Sequence, residues 1–226
     1  MPFQIRIQAG ERLALRDPED TVLGRNIVRK GLILMHQLGF EQFTFKKLAD
    51  AMHTTEASVY RYFENKHRLL LYILTWYWNY LEYLVVFQLQ NLENSEEKIR
   101  RIIELLVHQL PDSPDDSEFD KQALYGIVIA ESSKVYLTRE VNEINKVKLF
   151  KPYKDLCSRV AELFTDYNPS YPYPRSLAST LIEMAHFQHF FMEHLPSLTD
   201  FADDKRVQNI QAFLESLVFS ALEKKH

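Results

Sequence analysis

The stretch FKKLADAMHTTEASVYRYFENKHRLL, Phe45 to Leu70, restricts what this chain can fold into more than any other part of it. Thr44 precedes a first helical run and Thr55 a second, and a threonine in that place accepts a hydrogen bond from an otherwise unpaired first-turn amide. Two helix starts separated by so short a turn predict a helix-turn-helix. The second helix, from Thr55 to Tyr62, carries very little apolar surface. With Val59 at the bottom of a helical wheel, Phe63 falls beside it, Ala57, Ser58 and Arg61 point the other way, and Tyr60 lies on the flank. The segment is therefore expected to bury a narrow edge against Leu48 and Ala49 and to turn small, hydroxyl and cationic groups outward. A helix lying in a DNA major groove requires that arrangement. A helix-turn-helix with no nucleic-acid partner has the same spacing, so the pattern by itself leaves both readings open. Asn65 is placed to cap a further helix, which aims Lys66 and a positive helix end at a phosphate.

Charge is divided along the chain. Net charge is −4 over 226 residues, but residues 1–70 hold eleven Lys and Arg against eight Asp and Glu, and residues 71–226 hold sixteen against twenty-three. A modestly positive end on an acidic body suits approach to a polyanion in one orientation.

Five glycines in 226 residues, with prolines mostly between periodic segments, predict an all-α chain. Residues 1–16 are the exception. Phe3, Ile5, Ile7, Leu13 and Leu15 alternate with polar and basic residues around QAGE, which reads as a short N-terminal β-hairpin docked on the helices. Helices are then expected at Thr21–Leu38, with Ile27, Leu34 and Met35 facing a core and Gly39 as the stop, and at Phe45–Met52, from Thr55, and from Lys66. SEEKIRRIIELLVHQL is amphipathic through Ile99, Ile102, Ile103, Leu106 and Leu110. Residues 111–120 and 168–174 read as loops, with helices over 121–135, 138–150, 152–167, 175–195 and 201–224, and Pro152 dividing the middle run.

The run from Ile27 to Leu70 resembles the DNA-binding region of the TetR family of bacterial transcriptional regulators. The residues that carry the likeness are Ile27, Gly39-Phe40, Thr44, Leu48-Ala49, Thr55, Ser58-Val59-Tyr60, Tyr62-Phe63, Lys66 and Leu69-Leu70. The resemblance implies that Thr44, Thr55, Ser58, Tyr62 and Lys66 hold phosphates, that Lys46, Glu56, Ala57 and Tyr60 approach base edges, and that Arg61 serves either purpose. Two departures stand out. His53 occupies a turn position where the family usually has glycine, and Glu56 replaces a residue that is often basic or polar. An acid near DNA is costly unless it accepts from cytosine N4 or pairs with a cation.

Three parts are expected: an arm or hairpin over residues 1–20, read from the alternation, and, as the resemblance implies, a helix-turn-helix domain over 21–68 and a larger helical domain over 69–226 that binds an effector and makes a homodimer. Tyr72, Trp76, Tyr80, Tyr83 and Phe87 form a stripe expected to face the bundle core. Trp76, Tyr80, Tyr83, Tyr125 and His186 are the candidate lining of a pocket for a small apolar or aromatic effector. The last helix presents Val207, Ile210, Leu214, Leu217 and Ala221, and with its neighbour is expected to form the dimer interface. A two-fold dimer explains why each subunit needs one short reading helix and implies a palindromic operator.

Other chemistries are weakly supported. The stretch Leu69–Phe87 is apolar enough for a membrane span, but Asn79 and Glu82 lie inside it. His186, His189 and Glu193 have metal-ligand spacing, although core or interface histidines are the commoner use of that pattern and no metal or cofactor is expected. One cysteine, Cys157, excludes an internal disulfide and points to a reducing compartment. MPFQIRIQAG lacks the form of a secretion signal, so a cytoplasmic location is expected. There is no glycine-rich phosphate loop and no nucleophile elbow. The expected function is a sequence-specific DNA-binding transcriptional regulator, a repressor released by its effector. The alternatives are a helical protein-interaction module or an enzyme that does not bind DNA.

Overall fold

The structure is a computed structural model; it describes residues 13–108, 120–139, 141–146 and 150–223. The expected hairpin falls mainly on residues outside that set. Among the described residues there is no strand. Their contacts gather into two compact units, one within Met1–Tyr80 and Pro111–Pro152, the other within Leu81–Leu110 and Tyr153–His226.

In the first unit α1 spans Val22–Gln42, α2 Phe45–Ala51 and α3 Glu56–Tyr60. Each opens on a threonine whose side chain accepts a first-turn amide: Thr21 from Gly24, Thr44 from Lys47 and Thr55 from Ser58. The long helix α4, Lys66–Leu89, begins here with Asn65 Oδ1 accepting the Arg68 amide at 2.9 Å. The buried side of α1 is Ile27, Val28, Gly31, Leu32 and Met35, while Leu34 is only half-buried. Gly31 lies close to the Leu69 and Leu48 side chains, which brings α4 and α2 onto α1. α1 does not stop at Leu38. Gly39, at φ 74°, kinks the chain, and one more turn runs to Gln42.

Later helices are α5 (Ser95–Val107), α6 (Lys121–Glu131), α7 (Val141–Lys146), α8 (Lys151–Tyr167), α9 (Pro174–His194) and α10 (Val207–Leu222). α6 packs on α1 and passes into a 3-10 turn over Ser132–Val135, so the helix expected over 121–135 tightens at its end. Pro152 falls in the first turn of α8, where a missing amide costs nothing, and so it divides the run as expected. α10 begins at Val207, later than the expected 201.

The second unit is built on α5, α9 and α10, which pack against one another. His189 Nε2 meets the Val107 carbonyl at 2.7 Å, Tyr153 donates to Glu183 at 2.5 Å, and Asn168 donates to the Leu222 carbonyl at 3.0 Å. Burial of Ile99, Ile102, Ile103 and Leu106 on α5 contributes about 2 kcal/mol for each such side chain.

Two expected stripes differ from the structure. On α4 Tyr72 is buried, but Trp76, Tyr80 and Tyr83 are half-buried and Phe87 is 61% exposed. Burial falls on Ile73, Leu74, Tyr77, Trp78, Leu81 and Val85 instead, so the packed side of α4 combines aliphatic residues with Tyr77 and Trp78. On α10 the buried line is Ile210, Leu214, Val218 and Leu222, which leaves Phe213 and Leu217 more than a third exposed.

Candidate nucleic-acid interface

α3 is held by one side only. Val59 and Phe63 are fully buried, as are Leu48 and Ala49 of α2, so the narrow edge expected from the wheel is the one that packs. The Tyr60 ring rests edge-on against Phe45 at 5.0 Å and remains 47% exposed. His53 adopts φ 52° in the turn between α2 and α3. A non-glycine residue there stores strain of order 1 kcal/mol, which the well-packed helices on either side sustain.

Eight of the ten expected DNA-contacting residues lie on or beside this outward face. Thr44, Lys46, Thr55, Glu56, Ala57, Tyr60 and Arg61 are exposed, and Ser58 is half-buried. Ser58 Oγ lies 3.0 Å from Thr55 Oγ1, which pre-orients both hydroxyls at the start of α3. Such a surface, with hydroxyls, two aliphatic-stemmed cations and no bulky aliphatic group, fits a groove floor edged with phosphates.

The other two residues are placed differently from the sequence expectation. Tyr62 is 3% exposed, and its hydroxyl lies 2.7 Å from Thr21 Oγ1 at the start of α1. Lys66 sends its ammonium not outward but onto the carbonyls of Phe40, Glu41 and Phe43, at 2.8, 3.0 and 3.2 Å, and over the Phe40 ring at 4.6 Å. The physical reason is the Gly39 kink, which leaves several carbonyls of α1's last turn without helical donors; a nearby lysine satisfies them. Both residues brace the reader in this structure.

The five expected effector residues are spread over both units. In the first, Trp76 and Tyr80 stack at 5.2 Å, and Tyr125 on α6 is buried, with its hydroxyl pushed well above the usual range by burial and by the neighbouring Tyr77. In the second, Tyr83 stacks on Phe87 at 6.1 Å and His186 is buried on α9. A groove of about 470 Å³ on the second unit is lined by Glu96, Arg100, Tyr167, Glu215 and Phe219 and by none of the five. Its guanidinium, Arg100, is paired with Glu96 and Glu215. Of the residues with metal-ligand spacing, Glu193 pairs with Lys205 at 3.1 Å and His189 with the Val107 carbonyl; no group of three or more metal-ligating side chains occurs among the described residues. Burial and the adjacent His189 lower the His186 pKa to about 4. No helix among the described residues is long and apolar enough to cross a membrane.

Comparison with known proteins bears on this geometry. Residues 27–73 match the model of the bacterial regulatory proteins of the tetR family. Among solved structures, AibR in complex with isovaleryl coenzyme A and operator DNA is 18% identical, with a TM-score of 0.57, over 86% of this chain and 98% of that one. The fatty acid degradation regulator FadR from Bacillus halodurans is 16% identical, TM-score 0.57, over 85% and 92% of the two chains. A TetR-family regulator from Mesorhizobium loti MAFF303099 is 12% identical, TM-score 0.51, over 92% and 97%. At such identities these likenesses speak for the fold. Among curated proteins no sequence relative matches the chain. The family match begins in α1, spans both short helices and ends in α4, so over residues 27–73 the chain is similar to the bacterial regulatory proteins of the tetR family.

Proposed function

We propose that this protein is a sequence-specific DNA-binding transcriptional regulator, a repressor that leaves its operator when an effector binds. The observation that carries the reading is the one-sided packing of α3: Val59 wholly buried while Glu56, Ala57, Tyr60 and Arg61 stand exposed. Residues 21–68 read DNA, and 69–226 bind the effector and dimerise. Thr44, Thr55 and Ser58 hold phosphates; Lys46, Glu56, Ala57 and Tyr60 face base edges, and Arg61 does either. Tyr62 and Lys66 serve the same surface from behind. The protein acts in the cytoplasm and is not an enzyme.

The homodimer forms through α9 and α10, whose exposed Phe213 and Leu217 provide an apolar face suited to a second copy. Each dimer then presents two α3 helices to successive major grooves of a palindromic site, about 34 Å apart. Effector binding shifts the balance between spacings of the two readers, and operator affinity falls by the differential affinity of effector for those states. The effector is small and apolar or aromatic. The ligand named for AibR and the fatty-acid role named for FadR support including short-chain acyl thioesters among the probes.

A salt-titrated shift assay tests the reading. Tyr60→Ala should weaken specific binding about tenfold or more, and Arg61→Ala should either do the same or flatten the salt dependence by about one counterion. Unaltered affinity and slope for both variants would defeat it.

A further inference from the structure

Glu131 is a buried carboxylate of the first unit. Glu131 closes α6, is 7% exposed, and its Oε1 accepts the backbone amide of Phe40 at 3.1 Å. That amide follows Gly39, whose non-helical φ 74°, ψ 155° interrupts the ladder of α1, so the turn Phe40–Gln42 opens with a donor that the helix itself does not satisfy. Oε2 of Glu131 lies 2.8 Å from Lys134 Nζ, which also reaches Glu41 at 3.0 Å and lies 5.5 Å from the centre of the Phe40 ring. From α4, Lys66 holds the carbonyls of Phe40, Glu41 and Phe43, while the His67 ring meets Phe40 edge-on at 5.1 Å and contacts the Lys134 carbonyl at 2.9 Å.

A single turn, residues 39–43, is thus gripped at its amide by α6 and at its carbonyls by α4. It leads directly into the Thr44 cap of α2, on which α3 packs. A second fixed point precedes it. Gly126, also on α6, lies so close to His36 of α1 that an added Cβ would fall 2.4 Å from the imidazole. The two contacts set both the distance and the register of α6 on the end of α1.

We propose that Glu131 is a positioning residue for operator binding: by capping the Phe40 amide it fixes the α1–α2 turn, and with it the reading helix, to α6. The inference rests on the function proposed above, because only a DNA reader needs α3 held at a set angle. Removing the cap frees the turn to pivot at Gly39, where φ 74° is unstrained only for glycine.

Two mild variants separate the cap from the ion pair. Glu131→Gln keeps an acceptor at the same reach and removes the charge; Glu131→Asp keeps the charge and withdraws it by about one C–C bond, roughly 1.5 Å. The probes are a duplex selected by the wild-type protein from a random-sequence library and hydrogen exchange at single amides. Glu131→Asp should speed exchange of the Phe40 amide about tenfold and that of α2 and α3 amides to a lesser degree, leave α5, α9 and α10 unchanged, and lower affinity for the duplex threefold to tenfold. Glu131→Gln should match wild type in both readouts. An Asp variant like wild type, a Gln variant as impaired as Asp, or faster exchange throughout the chain would each overturn the proposal. Failure of the wild-type protein to prefer any duplex would instead defeat the proposed function, with Phe40 exchange still reporting whether the cap exists.

Discussion

α3 and α10 each leave one face uncovered, and the two faces have opposite chemistry. α3 buries Val59 and exposes hydroxyls, Ala57 and Arg61; α10 buries Ile210, Leu214, Val218 and Leu222 and exposes Phe213 and Leu217. An uncovered polar and cationic face gains little from meeting an apolar surface but fits a polyanion whose groove displays donors and acceptors. An uncovered apolar face next to a packed one is the usual mark of a protein partner. The contrast teaches that the two faces suit different occupants, a polyanion at α3 and an apolar protein surface at α10, which fits the DNA and the second copy proposed above.

The most drastic way to break the contrast is to give α10 the polarity of α3. Leu217→Glu should turn the dimer into monomers at micromolar concentration by light scattering, and operator affinity should fall more than a hundredfold, since one short helix makes few contacts. A dimer that persists would remove α10 from the interface.

Acid sharpens the contrast, because the buried imidazoles among the described residues belong to the second unit. Burial and the adjacent His189 hold the His186 pKa at about 4, below the usual 6.5. Above pH 6.5 neither folded nor unfolded imidazole is charged. Between 6.5 and 4 only the unfolded one binds a proton, so stability falls as pH falls across that window. The loss should reach about 3 kcal/mol by pH 4. Urea midpoints at pH 7 and 4.5 for wild type and His186→Leu check this; an equally steep decline in the variant would contradict it.

Lys66→Met tests whether the reader's cations are all alike. Loss of its carbonyl contacts should cost about 2 kcal/mol in thermal or urea unfolding, while the salt dependence of DNA binding stays unchanged. A smaller salt slope with intact stability would return Lys66 to a phosphate. Thr55→Ala should have the mildest effect, about 1 kcal/mol from loss of the α3 cap, seen as faster exchange of the Ser58 amide.

Much of the reading domain was legible because local rules suffice there. Threonine caps and the spacing of Val59 and Phe63 each follow from a few neighbouring residues, whereas Gly39 kinks α1 rather than ending it. What failed needed partners far away in sequence. Lys66 is diverted inward by carbonyls more than twenty residues earlier, and Tyr62 by Thr21. On α4 an almost continuous apolar run leaves its buried side undetermined, so the expected inward aromatic stripe does not hold and Phe87 is exposed. On α10 two overlapping apolar lines exist, and only packing selects Val218 and Leu222 over Leu217. Glu131 was missed although it had a signal: a lone acid ending the apolar run ALYGIVIAE invites the question of what it neutralises or caps.

Selection of duplexes from a random library, followed by counting of chains per bound duplex, tests the central claim most directly. The expected result is an inverted repeat with half-site centres about one helical turn apart, two chains per duplex, and loss of the preference in the Tyr60→Ala, Arg61→Ala double variant. A recovered site without two-fold symmetry, or a double variant that selects the same sequence with the same affinity, would contradict it.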